Sequence, residues 1–312
     1  MNHFLERWER FWFAAIPPHI YALLRIAFGL VGCGTLFGLR DLPTFWFLDG
    51  LVPLHLGAVG PKQYLITHGL GHAAGAALYV VTSVSFVAMT IGFQTRIAVP
   101  AALFTSLAQV AWNYLPLSGA DAAMRVFLFC LVWSDSGSVW SVDAWSAARR
   151  NVAGPPTVVE RSLSAPLRLI RFQVALIYLN AGMWKIFNPY WRNGSAVHYV
   201  VQSNIYRRLP HGMPLGFDHV VSLLTYGTLA WELSFAFLLL FARTRRIALV
   251  AGILIHLGML LTIEVGPFHF IMLASYLAFL EPDAVPRLSR RLLTFLGRPP
   301  SVPARLETAA NQ

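Results

Sequence analysis

Apolar stretches close to twenty residues long recur along this chain of 312 residues. Each is long enough for an α-helix to cross the hydrocarbon core of a bilayer. A helix-length window places them at Tyr21–Leu39, Ala73–Phe93, Ile97–Leu115, Ala122–Val139, Leu167–Phe187, Val220–Phe241, Ile247–Ile263 and Phe268–Leu280. The expected fold is therefore an all-α polytopic membrane bundle with eight spans. The fourth span is the weakest, because Ser134, Asp135, Ser136, Gly137 and Ser138 interrupt its far end. Only 12% of the residues are charged, against about 25% in an ordinary soluble domain. Too little polar surface remains to clothe a water-soluble globule.

The net charge of +10 would suggest nucleic acid in a soluble protein. Here the basic residues sit in short segments between apolar spans, a distribution that orients a membrane protein instead. No nucleic-acid partner is expected; the partner that the composition implies is the lipid bilayer. With the N terminus inside, fifteen basic residues face the cytoplasm, among them Arg96, Arg149, Arg150, Arg243, Arg245 and Arg246. Five face outward: Arg40, Lys62, Arg192, Arg207 and Arg208. Eight spans then put both termini in the cytoplasm. The assignment depends on the fourth span, since every later loop flips if that segment does not cross. Residues 1–20 read as an amphipathic segment lying in the interface, 21–282 as the transmembrane domain and 283–312 as a basic cytoplasmic tail. The stretch Ser301–Gln312 is expected to be disordered. Cys33 and Cys130 lie inside apolar segments and read as small buried hydrophobes.

Ionisable groups within spans are costly and call for an explanation. The candidates are Arg25, Arg125, Arg171, Lys185, Glu232 and His256. Arg25 is expected to snorkel to the inner interface, and Asp121 and Arg125 to form an i,i+4 ion pair. Lys185 stands out because Lys62 is the only other lysine in the chain. A buried amine can give up its proton, which a guanidinium cannot do at any reachable pH. From spacing alone Lys185 is equally a base in a dry pocket or a snorkelling group at a span end. Arg171, Tyr178 and Lys185 recur every seven residues and share a helix face, with Gln173 and Asn180 on a second polar line. Ala181 and Gly182 would let another helix approach closely. Glu232 and His256 would pair with each other or with Lys185 and Arg171, and a structural lock between helices is favoured over catalysis on sequence alone. His68 and His72 have i,i+4 spacing, but Gly69 and Gly71 weaken any helix there; no metal site is assigned.

The run from Arg171 through Tyr178, Asn180, Ala181 and Gly182 to Lys185, followed by Trp191 and Gly194, resembles the HTTM family, named for a horizontally transferred transmembrane domain. That family includes the vitamin K-dependent γ-glutamyl carboxylases. Ala22-Leu23-Leu24-Arg25, Trp140 to Asp143, Trp231-Glu232, His256 and Phe270 to Tyr276 extend the match in order. In the carboxylases the lysine matching Lys185 deprotonates vitamin K hydroquinone. The resemblance thus implies Lys185 as base, with Glu232 and His256 tuning it, and Arg171, Tyr178 and Asn180 as pocket neighbours. Trp191 and Gly194 would shape the loop above, and the implied cofactor is a quinone or hydroquinone. Two departures set the chain apart from the carboxylases. Ser118-Gly119-Ala120-Asp121 stands where they carry a functional histidine, and the large extramembrane region after their membrane part is not seen here. Compact bacterial members that mature the sporulation-delaying peptide are similar around Arg171–Ala196, Glu232 and His256. They imply a bacterial inner-membrane protein that modifies or matures a small secreted peptide. The competing reading is a non-enzymatic scaffold or chaperone for peptide export. A transporter is disfavoured, since no repeated halves are visible.

Overall fold

In a computed structural model the described chain is helical almost throughout. The structure describes residues 3–47, 50, 55, 58–113, 118–150, 162–208 and 218–295. The expected disorder of Ser301–Gln312, and most of the basic tail beyond 295, lie outside these. Helix α1 (His3–Phe13) is amphipathic and leaves Phe4, Trp8, Phe11 and Phe13 exposed. Strand β1 (Ala15–Ile16) follows and pairs antiparallel with β2 (Ser162–Leu163), a tie the sequence did not announce. The remaining helices run in order: α2 (His19–Gly38), α3 (Leu42–Phe45), α4 (Gly60–Thr67), α5 (Gly71–Ile91), α6 (Thr95–Trp112), α7 (Gly119–Val132) and α8 (Val142–Arg150). Then come α9 (Ala165–Ile186), α10 (Pro189–Arg192), α11 (Ala196–Gln202), α12 (Asp218–Leu238), α13 (Ala242–Thr262), α14 (Phe268–Tyr276) and α15 (Ala284–Phe295).

Four helices, α2, α5, α12 and α13, are long and apolar enough to cross a membrane, and a bent pair formed by α14 and α15 makes a fifth if counted as one span. They mark an integral membrane protein. The other expected spans form helices of a different kind. Helix α6 carries polar residues and an internal proline, and α9 carries Arg168, Arg171 and Lys185. Helix α7 has 14 residues, or about 21 Å at 1.5 Å per residue, short of a hydrocarbon core about 30 Å thick. It ends at Val132, just before the Ser134–Ser138 stretch.

Packing proceeds from neighbour to neighbour, α2 on α5, α5 on α6, α6 on α7, α7 on α9 and α9 on α12, with α14 wedged against α2, α7 and α9. The centre is aromatic and aliphatic. Phe28 of α2 stacks on Phe127 of α7 at 5.0 Å, with Leu24, Leu131, Ile170 and Met272 buried around them. Burying residues of that size contributes roughly 1.5–3 kcal/mol each.

Two expectations about polar residues are corrected, and the reading of the His68–His72 segment is made concrete. Arg25 does not snorkel. It is fully buried, and its guanidinium donates to the carbonyls of Met89 (2.5 Å), Thr90 (2.8 Å), Ser136 (2.9 Å) and Trp140 (2.7 Å). Because the last carbonyls of α5 have no intrahelical donors, a guanidinium that fans out five N–H groups can satisfy several at once. Asp121 does not pair with Arg125; its carboxylate accepts from the Ser118 backbone N–H at 2.6 Å and closes a capping box at the start of α7. His68 and His72 do not share a helix face. Gly69 adopts φ +73° between α4 and α5, so His68 stacks on Tyr64 at 4.0 Å while His72 meets Phe47 at 4.9 Å.

Candidate functional site

Lys185 lies in the last turn of α9. Three residues earlier Gly182 has no side chain, and Leu233 of α12 packs against the space left there. This close approach, foreshadowed by the Ala181-Gly182 pair, brings Glu232 to Lys185, and the two form a direct ion pair. Glu232 is 8% exposed, and its second oxygen, Oε2, is buried with no hydrogen-bond partner among the described residues. The Lys185 ammonium also lies 4.8 Å from the centroid of the Trp191 ring, within cation–π range. Trp191 is delivered by α10, whose first turn is capped by the Asn188 side chain accepting from the Tyr190 N–H at 3.0 Å. Gly194 then turns the chain with φ +80°, a conformation that favours glycine. A Cβ there would also press on Tyr226 and Ser222 of α12.

Tyr178, two turns before Lys185, is buried on the same side of α9. Its hydroxyl lies 2.6 Å from Nε2 of His256 on α13 and bonds directly to the Tyr276 hydroxyl on α14. His256 Nδ1 faces His269 Nδ1 at 3.5 Å, and His269 Nε2 is buried without a partner among the described residues. Trp231 packs edge-on against the Tyr178 ring at 4.6 Å, and Phe235 closes over it at 4.2 Å. Two polar units thus sit side by side: the Lys185–Glu232 pair, and a buried chain of phenol and imidazole groups joining α9, α13 and α14.

The structure sorts the expected site residues. Lys185, Glu232 and Trp191 come together, Tyr178 and His256 form the adjoining network, and Gly194 holds the loop. Glu232 pairs with Lys185 and not with His256. Arg171 does share the α9 face with Tyr178 and Lys185, but it lies fourteen residues from Lys185, about 21 Å along the helix. Its guanidinium donates to the carbonyls of Ala278 (2.7 Å) and Leu280 (3.2 Å), so it ties down the chain just beyond α14 and does not line the site. Asn180 is exposed. At about 100° per residue it points roughly 160° away from Tyr178 and 140° away from Lys185. The pocket role expected for these two is corrected. Sequence reading missed Tyr276, His269, Trp231 and Phe235 as network members. His269 carried a signal, being an ionisable group within an apolar segment, whereas the aromatic residues were indistinguishable from core.

A cleft of about 710 Å³ opens among α6, α7 and α8, and a void of about 20 Å³ lies between Gly32, Gln109 and Arg125. Lys185 lines neither. The larger one is at the opposite end of the bundle, since α9 runs from Ala165 beside that end to Lys185 beyond it.

No solved structure matches this chain. It is similar to the sporulation-delaying protein SdpB of Bacillus subtilis (strain 168), 30% identical over 121 residues. That alignment spans 37% of this chain and 38% of the relative's length. The HTTM domain matches residues 13–284, which include α2 through α14 and every residue of the site just described. The chain belongs to the HTTM domain family.

Proposed function

We propose that this protein is a bacterial inner-membrane member of its family that acts in the maturation of a small exported peptide, with Lys185 as the base. The observation that carries this reading is the Lys185–Glu232 pair: an amine and a carboxylate in contact, largely withdrawn from solvent, at a helix end beside an aromatic loop. The two groups share one proton. Passing it to Glu232 leaves an uncharged amine able to accept another from a bound substrate; once the ammonium has released that second proton to product or solvent, Glu232 returns the first to the amine. Tyr178 and His256 hold the wall behind the pair. The likeness to SdpB supports a peptide as the substrate class. Fifteen basic residues against five support termini in the cytoplasm and the Lys185 end facing out, with eight crossings.

A quinone-type cofactor is implied by the family resemblance alone. Among the described residues neither of the two clefts reaches Lys185, whose amine is engaged by Glu232 and lies beside Trp191. One observation favours a second reading. An amine already engaged by a carboxylate is also what a structural lock between α9 and α12 would show, and a scaffold for peptide export would need nothing more. Lys185→Arg separates the two, because it keeps a cation for Glu232 and removes the group that can lose a proton. Peptides exported by cells holding the wild-type protein, no protein or the variant are compared by mass spectrometry. The base role predicts loss of the mature peptide at unchanged membrane level of the protein; undiminished mature peptide overturns it and leaves the scaffold.

A further inference from the structure

The cleft of about 710 Å³ is remote from Lys185 and has a chemistry of its own. Its volume falls within the roughly 300–1,000 Å³ of small-molecule sites. One wall is apolar, built from Pro100, Val132 and Trp133, and Trp133 is 67% exposed where α7 ends. Exposed tryptophan at the end of an apolar helix is the usual marker of headgroup level in a bilayer. The cleft therefore has its apolar wall along the acyl region and its mouth among the headgroups.

The mouth carries two arginines and two carboxylates. Its acids are already committed: the Asp143 carboxylate accepts from the backbone N–H groups of Gln94 (2.8 Å) and Thr95 (2.7 Å), and Asp135 accepts from the Ser162 hydroxyl at 2.7 Å. Arg96 and Arg150 line the cleft from two different helices, and neither has a hydrogen-bond or ion-pair partner among the described residues. Pro100, which lacks an N–H, also leaves the Arg96 carbonyl without its intrahelical donor, so an acceptor stands among the cations. Two guanidinium groups without a partner among the described residues, above an apolar wall, fit an amphiphile with an anionic phosphate.

The geometry points to this cleft as a binding site for an anionic glycerophospholipid, its phosphodiester held by Arg96 and Arg150 and one acyl chain lying along Pro100 and Val132. The site is independent of the peptide-maturation reading and is tested without it. Full-length protein, stripped of lipid in detergent, is titrated with phosphatidylglycerol, with phosphatidylcholine and with inorganic phosphate, and bound lipid is counted by native mass spectrometry. The wild type is expected to retain phosphatidylglycerol over phosphatidylcholine. The double variant Arg96→Gln/Arg150→Gln is expected to bind phosphatidylglycerol about thirtyfold more weakly. The control Arg192→Gln/Arg207→Gln, at the other end of the bundle, is expected to bind as the wild type does. Equal loss in both double variants, or equal retention of the two lipids, overturns the site. Displacement of phosphatidylglycerol by inorganic phosphate overturns the lipid in favour of a free anion. A second variant, Val132→Trp, fills the apolar wall and is expected to abolish retention with both arginines intact; undiminished binding in it overturns the acyl-chain placement.

Discussion

Arg25 is accommodated in the bundle interior without a counter-ion in contact. Four carbonyls from the end of α5 and from the α7–α8 connection surround its guanidinium, so the charge meets four aligned dipoles. Arg25→Met removes every donor at once and leaves buried acceptors unpaired. A loss of about 3 kcal/mol or more is expected, read as a lowered melting temperature of the purified protein. The Lys185–Glu232 pair behaves differently, because each partner is the other's main support. Glu232→Leu strands the ammonium and is expected to cost about 3 kcal/mol. Adding Lys185→Met removes the stranded charge, and most of the folded protein should return on gel filtration. If the double variant also restored the mature peptide, the pair would be a lock and nothing else. Sequence spacing placed Tyr178 and Lys185 on one face of α9, yet the choice of partner for Glu232 was open, since residues 185 and 232 meet only through tertiary packing.

At the scale of elements, the α5–α6 turn is closed by a residue from a third helix. Gly92 ends α5 with φ +72°, and Asp143 at the start of α8 clasps the first N–H groups of α6 while its own N–H donates to the Gly92 carbonyl at 3.0 Å. Burial alone would raise the Asp143 carboxyl; hydrogen bonds from Thr95 and Gln94, with Arg25 nearby, outweigh it and hold the group below its ordinary 3.8. A carboxyl lowered by folding adds stability above its ordinary value, and that stability disappears as pH falls through the lowered one. The clasp should therefore be intact at neutral pH and fail only below pH 3.8. Acid titration followed by circular dichroism checks this: Asp143→Asn should lose the acid-dependent part of the melting curve and be less stable at pH 7. The long helices were legible, because hydropathy and breakers such as Ser134–Ser138 act locally. The clasp was not, because Asp143 lies far along the chain from the helix it caps.

At the scale of the molecule, crossing number decides which loops face the substrate. Helix α7 is short enough to make the fourth crossing the critical one. Single cysteines at positions 62, 207, 96 and 245, in a variant lacking Cys33 and Cys130, test it with a membrane-impermeant thiol reagent. Eight crossings predict labelling at 62 and 207 in intact cells, and at 96 and 245 only after permeabilisation. Labelling at 62 but not at 207 would show that α7 does not cross and that the Lys185 end faces inward. The sequence by itself determined that this is a helical membrane protein and which stretches form its long helices, because burial of apolar surface over about twenty residues is a property of the local chain. Tertiary structure alone decided where the buried charges went. Arg25 and Arg171 reached backbone carbonyls, Lys185 reached Glu232, and His256 reached Tyr178, since a polar group in an apolar interior takes whichever partner the packed helices bring within about 3 Å.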